Sequence, residues 1–412
     1  MVKIRTFKAV RPKKEYAKKI AALPYDVYSE EEAREIINKN PKSFLAVDLP
    51  IATIDENCKN TSHELNNIAL KNFNKMKDLG YFYKEDRGKL YIYQLTMKGK
   101  SQNGLICTTS IDEYLEGIIK KHEYTRKEKE EDRINHVDTL DANTGPIFLT
   151  YKSNEEIKKI IEKQIQKKPE VEFTSEDQVS HKIWTIDDEK TIDQIIFEFG
   201  KIDNLYIADG HHRAASAVKV GLKRRSKKIN YTGEEEFNYF LSVLFPEDQV
   251  NVMAYNRVVK DLNDLSPKEF LEKMKDDFYI EEAPKSPYQP IEKGTFGMLL
   301  AKKWYKLKVK ENSFKKDPIS CLDVSILQNL VLDKILDIKD PRTDKRIDFV
   351  GGIRGLIELE KRTEEDMILA FSLFPTSLEE LFAVADEGLI MPPKSTWFEP
   401  KPRSGLFIHE LK

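Results

Sequence analysis

Hydrophobic and polar positions follow two periods along the chain, one typical of helices and one typical of strands. Apolar residues recur at helical spacing over residues 63–82 and 154–168, which predicts amphipathic helices. Residues 90–97 and 104–111 alternate between apolar and polar positions. This alternation predicts a β-hairpin in which residues 98–103 form a loop longer than two residues. Because helix-like and strand-like segments alternate only loosely, the pattern favours an α+β fold whose sheet need not be parallel.

Capping and breaking residues place further boundaries. Ser29 precedes a helix-like run and Glu32 stands three positions after it. This is the capping-box pattern, and it predicts a helix that ends before Pro41. Residues 43–50 (SFLAVDLP) have the composition of a short strand, and the strongly charged residues 111–140 are typical of helix.

The length of the chain predicts two domains. A chain of 412 residues is too long for one ordinary core. We expect the first domain at 1–254 and a mixed α/β C-terminal region at 255–412. Residues 382–411 are rich in proline and in large apolar side chains, which a disordered tail would seldom carry. We therefore expect this tail to pack back on the body of the protein.

Charge and hydropathy exclude several classes of partner. Lys and Arg number 68 against 70 Asp and Glu, giving a net charge of -2, whereas nucleic-acid-binding proteins normally carry a basic excess. The chain has neither an apolar secretory segment at its start nor an apolar run of about 18 residues that could span a bilayer. We therefore expect a cytoplasmic protein with no nucleic acid and no membrane as partner. Cys58, Cys107 and Cys321 lie too far apart for a metal site and are expected to be reduced and buried.

Several candidate functional residues lie where a predicted strand meets a predicted helix, in residues 204–221 (NLYIADGHHRAASAVKVG). Gly210 would let a ligand approach the backbone, and the helix N-terminus offers N–H groups and partial positive charge to an anion. Arg213 adds a forked donor suited to phosphate. Asp209 could hold a magnesium ion or orient a histidine, and His211 and His212 could donate to phosphate or move a proton. The pattern points to a phosphorylated ligand, with a capping aspartate and a packed histidine as the plain structural alternative.

Zinc is the least favoured explanation of the histidine pair. Consecutive side chains on a helix point about 100° apart, so they do not easily bind one ion together.

Three other segments carry candidate chemistry. Asp26 follows Pro24 in a constrained turn, where a carboxylate could act as a general base or only close an Asx-turn. Arg133 and His136 stand at i and i+3 on one face of a predicted helix, as functional residues or as surface decoration. A stiff loop between prolines could hold a lysine toward an anion or serve as a structural clasp, and it contains Lys394, Ser395 and Thr396.

Eight segments, in the same order from near residue 7 to residue 406, resemble one family. They are AVRP, LPYDVYSEEEA, NPKSFLAVDLP, EEDRINHVDTLDANTGPIFLTY, IADGHHRAASA, YNRVV, LDVSILQ and MPPKSTWFEPKPRSGL. The chain resembles the DUF1015 family and is similar to the SerK-type free L-serine kinases. The resemblance implies a ParB/sulfiredoxin-like catalytic core in residues 1–254. It also implies a kinase that phosphorylates the hydroxyl of free L-serine to O-phospho-L-serine, in cysteine biosynthesis, with ATP or ADP as donor and Mg²⁺.

The resemblance also implies roles for individual residues. The turn would bind the nucleotide phosphates through Gly210, His211, His212 and Arg213. Asp209, His211 and His212 would be catalytic residues, and Asp209 would also be the magnesium ligand. A cation is needed for the α-carboxylate of serine, and Arg133 or Lys394 is the candidate. The substrate-binding set is Arg133, His136, Lys394, Ser395 and Thr396.

The general base is the least determined of these roles. SerK-type enzymes use a glutamate from the N-terminal region, and this chain has Asp26 in the matching neighbourhood, with Glu30, Glu31 and Glu32 just beyond. Asp26 is favoured because its turn is the more constrained setting, whereas the glutamates have the position of first-turn helix residues.

Two other functions remain open from the sequence. ParB-type folds also occur in non-catalytic nucleotide-sensing or DNA-associated regulatory proteins. A sulfiredoxin-like redox phosphotransferase would need a reactive cysteine near the phosphate turn. The sequence leaves open whether ATP or ADP is the donor, and whether the protein is a homodimer.

Overall fold

The structure is a computed structural model that describes residues 1–55, 61–125 and 127–412. Cys58 lies outside the described residues. Within them the chain divides into two compact units. The first unit consists of Met1–Lys121, Thr125–Val250 and Pro400–Lys412, and the second of His122–Tyr124 and Asn251–Glu399. The domains at 1–254 and 255–412 stay a prediction about which parts fold independently.

The first unit contains helices and strands in loose alternation. Its helices are α1 (Lys14–Ile20), α2 (Glu30–Lys39), α3 (Leu45–Asp48), α4 (Ser62–Asp78), α5 (Ile111–Leu115), α6 (Lys127–Leu140), α7 (Glu155–Ile165), α8 (Glu189–Phe199) and α9 (His211–Arg225). Its strands up to residue 250 are β1 (Ile4–Arg5), β2 (Val10–Pro12), β3 (Phe82–Lys84), β4 (Leu90–Met97), β5 (Lys100–Ser110), β6 (Ile119–Lys120), β7 (Ala142–Asn143), β8 (Ile147–Tyr151), β9 (Val171–Thr174), β10 (Ser180–Ile186), β11 (Leu205–Asp209) and β12 (Tyr239–Pro246).

A large mixed sheet forms the centre of this unit. Over the described residues its strand order is β6-β11-β8-β12-β5-β4-β10-β9, with β1 added on β5. The pairs β11–β6 and β12–β8 are parallel and the other pairs are antiparallel. This mixture of helices with a mixed sheet confirms the α+β class, and the ParB/sulfiredoxin-like assignment stays a prediction.

Amphipathic helices cover the sheet with their apolar faces. Ile157 of α7, together with Ile195 and Phe199 of α8, is fully buried in the same core as Leu205 and Ile207 of β11. Burying side chains of this size contributes about 1.5–3 kcal/mol each. Strand β11, which leads into the turn at residues 209–213 (DGHHR), is therefore anchored in the main core.

The second unit is built on its own antiparallel sheet. Its helices are α10 (Pro267–Met274), α11 (Asp323–Leu327), α12 (Ile357–Glu365) and α13 (Leu378–Asp386). Its strands are β13 (Val252–Met253), β14 (Tyr255–Val259), β15 (Phe278–Glu282), β16 (Thr295–Leu300), β17 (Lys303–Val309), β18 (Ile347–Gly351), β19 (Leu369–Leu373) and β20 (Trp397–Phe398). The larger sheet has the order β15-β17-β16-β19-β14-β18, and β13 pairs with β20.

The last residues of the chain return to the first unit. Strand β21 (His409–Glu410) pairs with β7, and Ile408 exchanges backbone hydrogen bonds with Val10. Leu406, Phe407 and Ile408 are almost fully buried. This part of the tail packs on the body of its unit, as its apolar composition predicts.

The structure corrects three local predictions. Residues 43–50 are not a strand, because they form α3 and the start of a 3-10 turn at Pro50–Thr53. A short apolar run does not distinguish a buried helix from a buried strand, and tertiary packing decides. The hairpin loop has only two residues, Lys98 and Gly99, both with positive φ, as a tight primed turn requires. The predicted helix over 111–140 is interrupted by β6, and among the described residues of this stretch α5 and α6 are the helical parts.

Among the described residues, no helix combines the length and the apolar character needed to cross a bilayer.

Candidate functional site

The chain turns sharply where β11 ends and α9 begins. Gly210 joins Asp209 to His211 at a φ of +99°, which an L side chain rarely adopts. A register shift between Ile207 and Asp209 in the pairing of β11 with β8 marks a bulge, a feature that re-aims side chains at sheet ends. Gly210 has no side chain to cap α9. The first N–H groups of this 15-residue helix can therefore serve an anion.

Two cations hold Asp209, one from four positions along the chain and one from near the chain's end. Lys401 donates from Nζ to Oδ1 at 3.1 Å, and Arg213 donates from Nη2 to Oδ2 at 2.9 Å. Burial by itself would raise the pKa of Asp209, but the charges of Lys401 and Arg213 outweigh it and hold that pKa well below its usual range. Arg213 also donates from Nη1 to the backbone oxygen of Pro146 at 2.7 Å. These two cations and one carboxylate lie beside the start of α9, and we call this group the cationic corner.

His211 adds hydrogen-bonding capacity rather than charge to the turn. His211 is buried, and burial lowers its pKa to about 3, so its ring is neutral at pH 7. His212 is half-buried, and its backbone oxygen accepts a hydrogen bond from Ser216 Oγ at 2.7 Å. Arg213 and Lys401 are thus the cations that contact Asp209 at the turn.

A pocket adjoins the cationic corner within the first unit. Its empty volume is about 480 Å³ with the open mouth included, and Arg213 and Gly145 line it. Its other charged side chains, among the described residues, are Asp48 and Arg133. Because Arg213 belongs to both places, a ligand in the pocket would lie next to an anion bound at the corner.

Arg133 and His136 both face this pocket from α6, one helical turn apart. The Arg133 guanidinium lies 4.2 Å from the centroid of the Tyr25 ring. It donates from Nε and Nη2 to Asp132 Oδ2 at 2.9 and 2.6 Å. Arg133 is therefore a buried, oriented cation on the pocket wall and not a surface side chain.

His136 serves the wall of the pocket as a neutral ring. Burial, together with the charge of Arg133, lowers its pKa to about 4. Its Nε2 lies 3.0 Å from the backbone oxygen of Val47, so the neutral tautomer that donates there fits the contact.

Asp48 is the residue of this pocket that the sequence reasoning missed. Its side chain is buried, and Oδ1 accepts a hydrogen bond from Thr144 Oγ1 at 2.8 Å. The motif segment AVDLP contained it, but the prediction of a strand there gave no reason to single it out. Lys401 was missed in the same way, inside the segment that ends the chain.

The candidate bases lie at the start of the chain. Asp26 is exposed in the short 3-10 turn Tyr25–Val27, and the adjoining Tyr25 lines the pocket. Glu32 is engaged in the predicted capping box, because it accepts from the backbone N–H of Ser29 at 2.9 Å. Glu30 and Glu31 are exposed in the first turn of α2. These four carboxylates are the candidates for the general base.

Lys394, Ser395 and Thr396 lie in the second unit. Ser395 is buried and donates from Oγ to the backbone oxygen of Pro392 at 2.6 Å. Lys394 has a φ of +59°, and its ammonium lies 5.5 Å from the centroid of the Tyr255 ring. These contacts hold the loop in shape within that unit.

Magnesium does not fit the arrangement as it stands. No group of three or more His, Cys, Asp or Glu side chains that could hold an ion occurs among the described residues. Both oxygens of Asp209 already accept from cations, so an ion there would compete with Lys401 and Arg213.

The structural comparisons are weak. An AMP complex of free serine kinase is 15% identical, with a TM-score of 0.36, and the match covers 73% of this chain and 92% of that one. A conserved hypothetical protein from Pyrococcus furiosus is 17% identical, covering 73% and 93% at a TM-score of 0.35. A C-terminally truncated SbnI from Staphylococcus aureus is 11% identical, covering 73% and 85% at 0.37. At these scores the similarities support no argument about this chain.

The family comparison is decisive by contrast. No curated protein sequence matches the chain. A family model described as "Protein of unknown function (DUF1015)" matches residues 4–325, which confirms the membership that the sequence motifs predict. The chain belongs to the DUF1015 family.

Proposed function

We propose that this protein is a kinase that transfers a phosphoryl group from ATP or ADP to the hydroxyl of free L-serine. The observation that carries the proposal is the direct connection, through Arg213, between the cationic corner and the adjoining pocket. The corner combines two cations with the N-terminus of α9, and both favour a phosphate. The pocket has the charged groups that a small polar acceptor needs. The resemblance of the motifs to SerK-type kinases supports L-serine as that acceptor.

The chemistry follows from this arrangement. The donor's terminal phosphoryl group would lie against the N–H groups of α9 and the guanidinium of Arg213, which stabilise its charge in the transition state. The hydroxyl oxygen of serine attacks the phosphorus, the bond from phosphorus to the bridging oxygen breaks, and the shortened nucleotide leaves. The resemblance to SerK-type kinases supports a carboxylate base, and Asp26, next to the pocket residue Tyr25, would accept the hydroxyl proton and release it to water. The products are O-phospho-L-serine and ADP, or AMP when ADP is the donor.

The test is direct detection of the product. The purified protein is incubated with L-serine, Mg²⁺ as the usual counter-ion of nucleotide phosphates, and either ATP or ADP. We expect O-phosphoserine by ³¹P NMR, and the nucleotide formed identifies the donor. The variant Arg213→Gln should lose at least 100-fold in turnover, a size of loss typical of a transition-state donor, roughly 10²–10³.

A matched control lies on the same helix. Arg224 is also part of α9, but its guanidinium pairs with Asp138, so Arg224→Gln should keep its turnover. If neither donor gives O-phosphoserine, the kinase proposal fails and a nucleotide-sensing role becomes the better explanation.

A further inference from the structure

We propose that Asp48 binds the α-ammonium group of the acceptor and so makes the pocket selective for a free amino acid over the corresponding hydroxy acid. This inference rests on the proposed function, since it assigns the acceptor's position in the same pocket. It gives a role to a carboxylate that the phosphoryl-transfer mechanism does not use.

The first support is the burial of Asp48 without an ion pair. Its residue surface is 4% exposed, and the hydroxyl of Thr144 is the side-chain donor to its Oδ1. Among the described residues, no lysine, arginine or histidine nitrogen pairs with its carboxylate. Buried carboxylates are normally paired, because taking an unpaired charge out of water costs several kcal/mol per ion. A ligand cation that enters the pocket would supply the missing partner.

The second support is that neighbouring positive groups are directed elsewhere. Arg133 donates from Nη1 to the backbone oxygen of Asp48 at 3.3 Å, while its Nε and Nη2 donate to Asp132. His136 donates to a backbone oxygen and is neutral. The Asp48 charge is therefore available to the pocket, which Asp48 lines.

The third support is the charge pattern of the pocket as a whole. Its charged side chains, over the residues that the structure describes, are one carboxylate, Asp48, and two guanidinium groups, Arg133 and Arg213. Free L-serine carries one ammonium and one carboxylate, and the phosphoryl group that it receives is an anion. Arg133 is paired with Asp132 and Arg213 with Asp209, so Asp48 is the charged group of this wall, over the described residues, that has no opposite charge beside it. The ammonium of serine would supply that charge. A hydroxy acid without the ammonium would leave Asp48 unpaired.

The experiment compares two acceptors on two variants of the full chain. Binding of L-serine and of 3-hydroxypropanoate, which is serine without its amino group, is measured by calorimetry. For Asp48→Asn we expect the Kd of L-serine to rise roughly 10- to 100-fold, the effect of losing a hydrogen bond to a charged group. The Kd of 3-hydroxypropanoate should stay the same or fall, and the Kd of ADP should stay the same. Asp86→Asn is the control, because its side chain is 85% exposed.

A second variant guards against misfolding. Thr144→Val removes the hydroxyl that orients Asp48 but leaves the charge, so we expect a smaller loss of L-serine affinity, about 2- to 10-fold. In the absence of ligand, Asp48→Asn should unfold at a higher temperature than the wild type, because an unpaired buried charge is gone. A merely structural carboxylate would show the opposite shift.

The outcomes separate this inference from the kinase proposal. Unchanged L-serine affinity in Asp48→Asn, an equal loss for both acceptors, or a fall in kcat with unchanged KM overturns the role of Asp48 and leaves the kinase proposal intact. Wild-type protein that binds L-serine through Asp48 but forms no O-phosphoserine supports this inference and overturns the kinase proposal. Wild-type protein that binds neither acceptor overturns this inference.

Discussion

The ammonium of Lys401 lies 3.1 Å from Oδ1 of Asp209, although 192 positions of sequence separate the two residues. The Lys401 side chain is only 7% exposed and that of Asp209 is 23% exposed. The end of the chain thus helps to form the turn that we propose as the nucleotide phosphate site. Lys401→Met should lower the free energy of unfolding by about 2–4 kcal/mol, because it leaves a partly buried carboxylate with one partner fewer. Urea unfolding followed by circular dichroism measures this.

A control for this substitution lies eleven positions further along the same tail. Lys412 also pairs with an aspartate, Asp141, at 2.7 Å, but its side chain is 83% exposed. Exposed pairs contribute about 0–1 kcal/mol, so Lys412→Met should cost little. If both variants lost the same free energy of unfolding, the burial of Lys401 would make no contribution to stability.

Replacing Gly210 should affect both folding and nucleotide binding. Gly210→Ala puts a Cβ at a φ of +99°, and that Cβ would meet the guanidinium of Arg213 at 3.0 Å. The backbone strain costs about 1–2 kcal/mol, and the displaced Arg213 should weaken ADP binding, measured by calorimetry. Gly99→Ala is the control, because Gly99 also has positive φ but no neighbour within 4 Å. Gly99→Ala should lose a similar amount of stability but keep its affinity for ADP. An equal loss of ADP affinity in Gly99→Ala and Gly210→Ala would refute the role of the Gly210 turn.

Asp26→Asn tests the general base. We expect turnover to fall below detection by ³¹P NMR while the Kd of ADP stays unchanged, because the substitution removes the proton acceptor and no phosphate contact. Glu30→Gln and Glu31→Gln should keep wild-type turnover, since these exposed side chains have the positions of first-turn helix residues. Normal turnover in Asp26→Asn would refute this assignment. Loss of turnover in Glu30→Gln or Glu31→Gln would identify the replaced glutamate as the base.

Buried neutral histidines should make the protein sensitive to acid. The pKa of His136 is about 4 in the folded protein, against an ordinary value of 6.5. Between these pH values the unfolded chain binds more protons than the folded one, so the free energy of unfolding falls as pH is lowered from 6.5 to 4. His136 by itself accounts for about 3 kcal/mol of that loss. His181 and His211, with pKa values of about 3, act in the same direction.

Urea unfolding at several pH values checks this contribution. His136→Gln should flatten the dependence between pH 4 and 6.5, whereas His63→Gln, with an exposed side chain on α4, should leave it as in the wild type. An unchanged slope in His136→Gln would mean that His136 is not the neutral buried group described here.

Cysteine chemistry should not be required for activity. Cys107 is fully buried, and burial raises the pKa of its thiol well above the ordinary range, so the reactive thiolate is suppressed. We expect a variant with Cys58→Ser, Cys107→Ala and Cys321→Ser to retain its O-phosphoserine formation in the ³¹P NMR assay. Loss of activity in this variant, with its fold intact by circular dichroism, would favour the sulfiredoxin-like redox mechanism.

Local sequence determined much of the fold. Helix α2 was correctly predicted from the capping box of Ser29 and Glu32, and helices α4 and α7 from their periodic apolar faces. Caps and periodicity act within a few residues, so local sequence is enough to show them. The junction of strand, Gly210 and helix was predictable for the same reason. The motifs together placed the chain in its family.

Tertiary structure decided the partners of the charged groups. Lys401 pairs with Asp209 only because the last segment of the chain returns to the first unit, and no local pattern encodes that return. Asp48 lies at the end of helix α3 and is buried in the pocket. Its hydrogen-bond donor, Thr144, comes from a segment 96 positions away. The sequence by itself thus determined many of the elements and the strand–Gly210–helix turn, but not the helix at Leu45–Asp48. Which buried charges are paired, and which are left for a ligand, depended on long-range packing, since desolvation and ion pairing are set by neighbours in space.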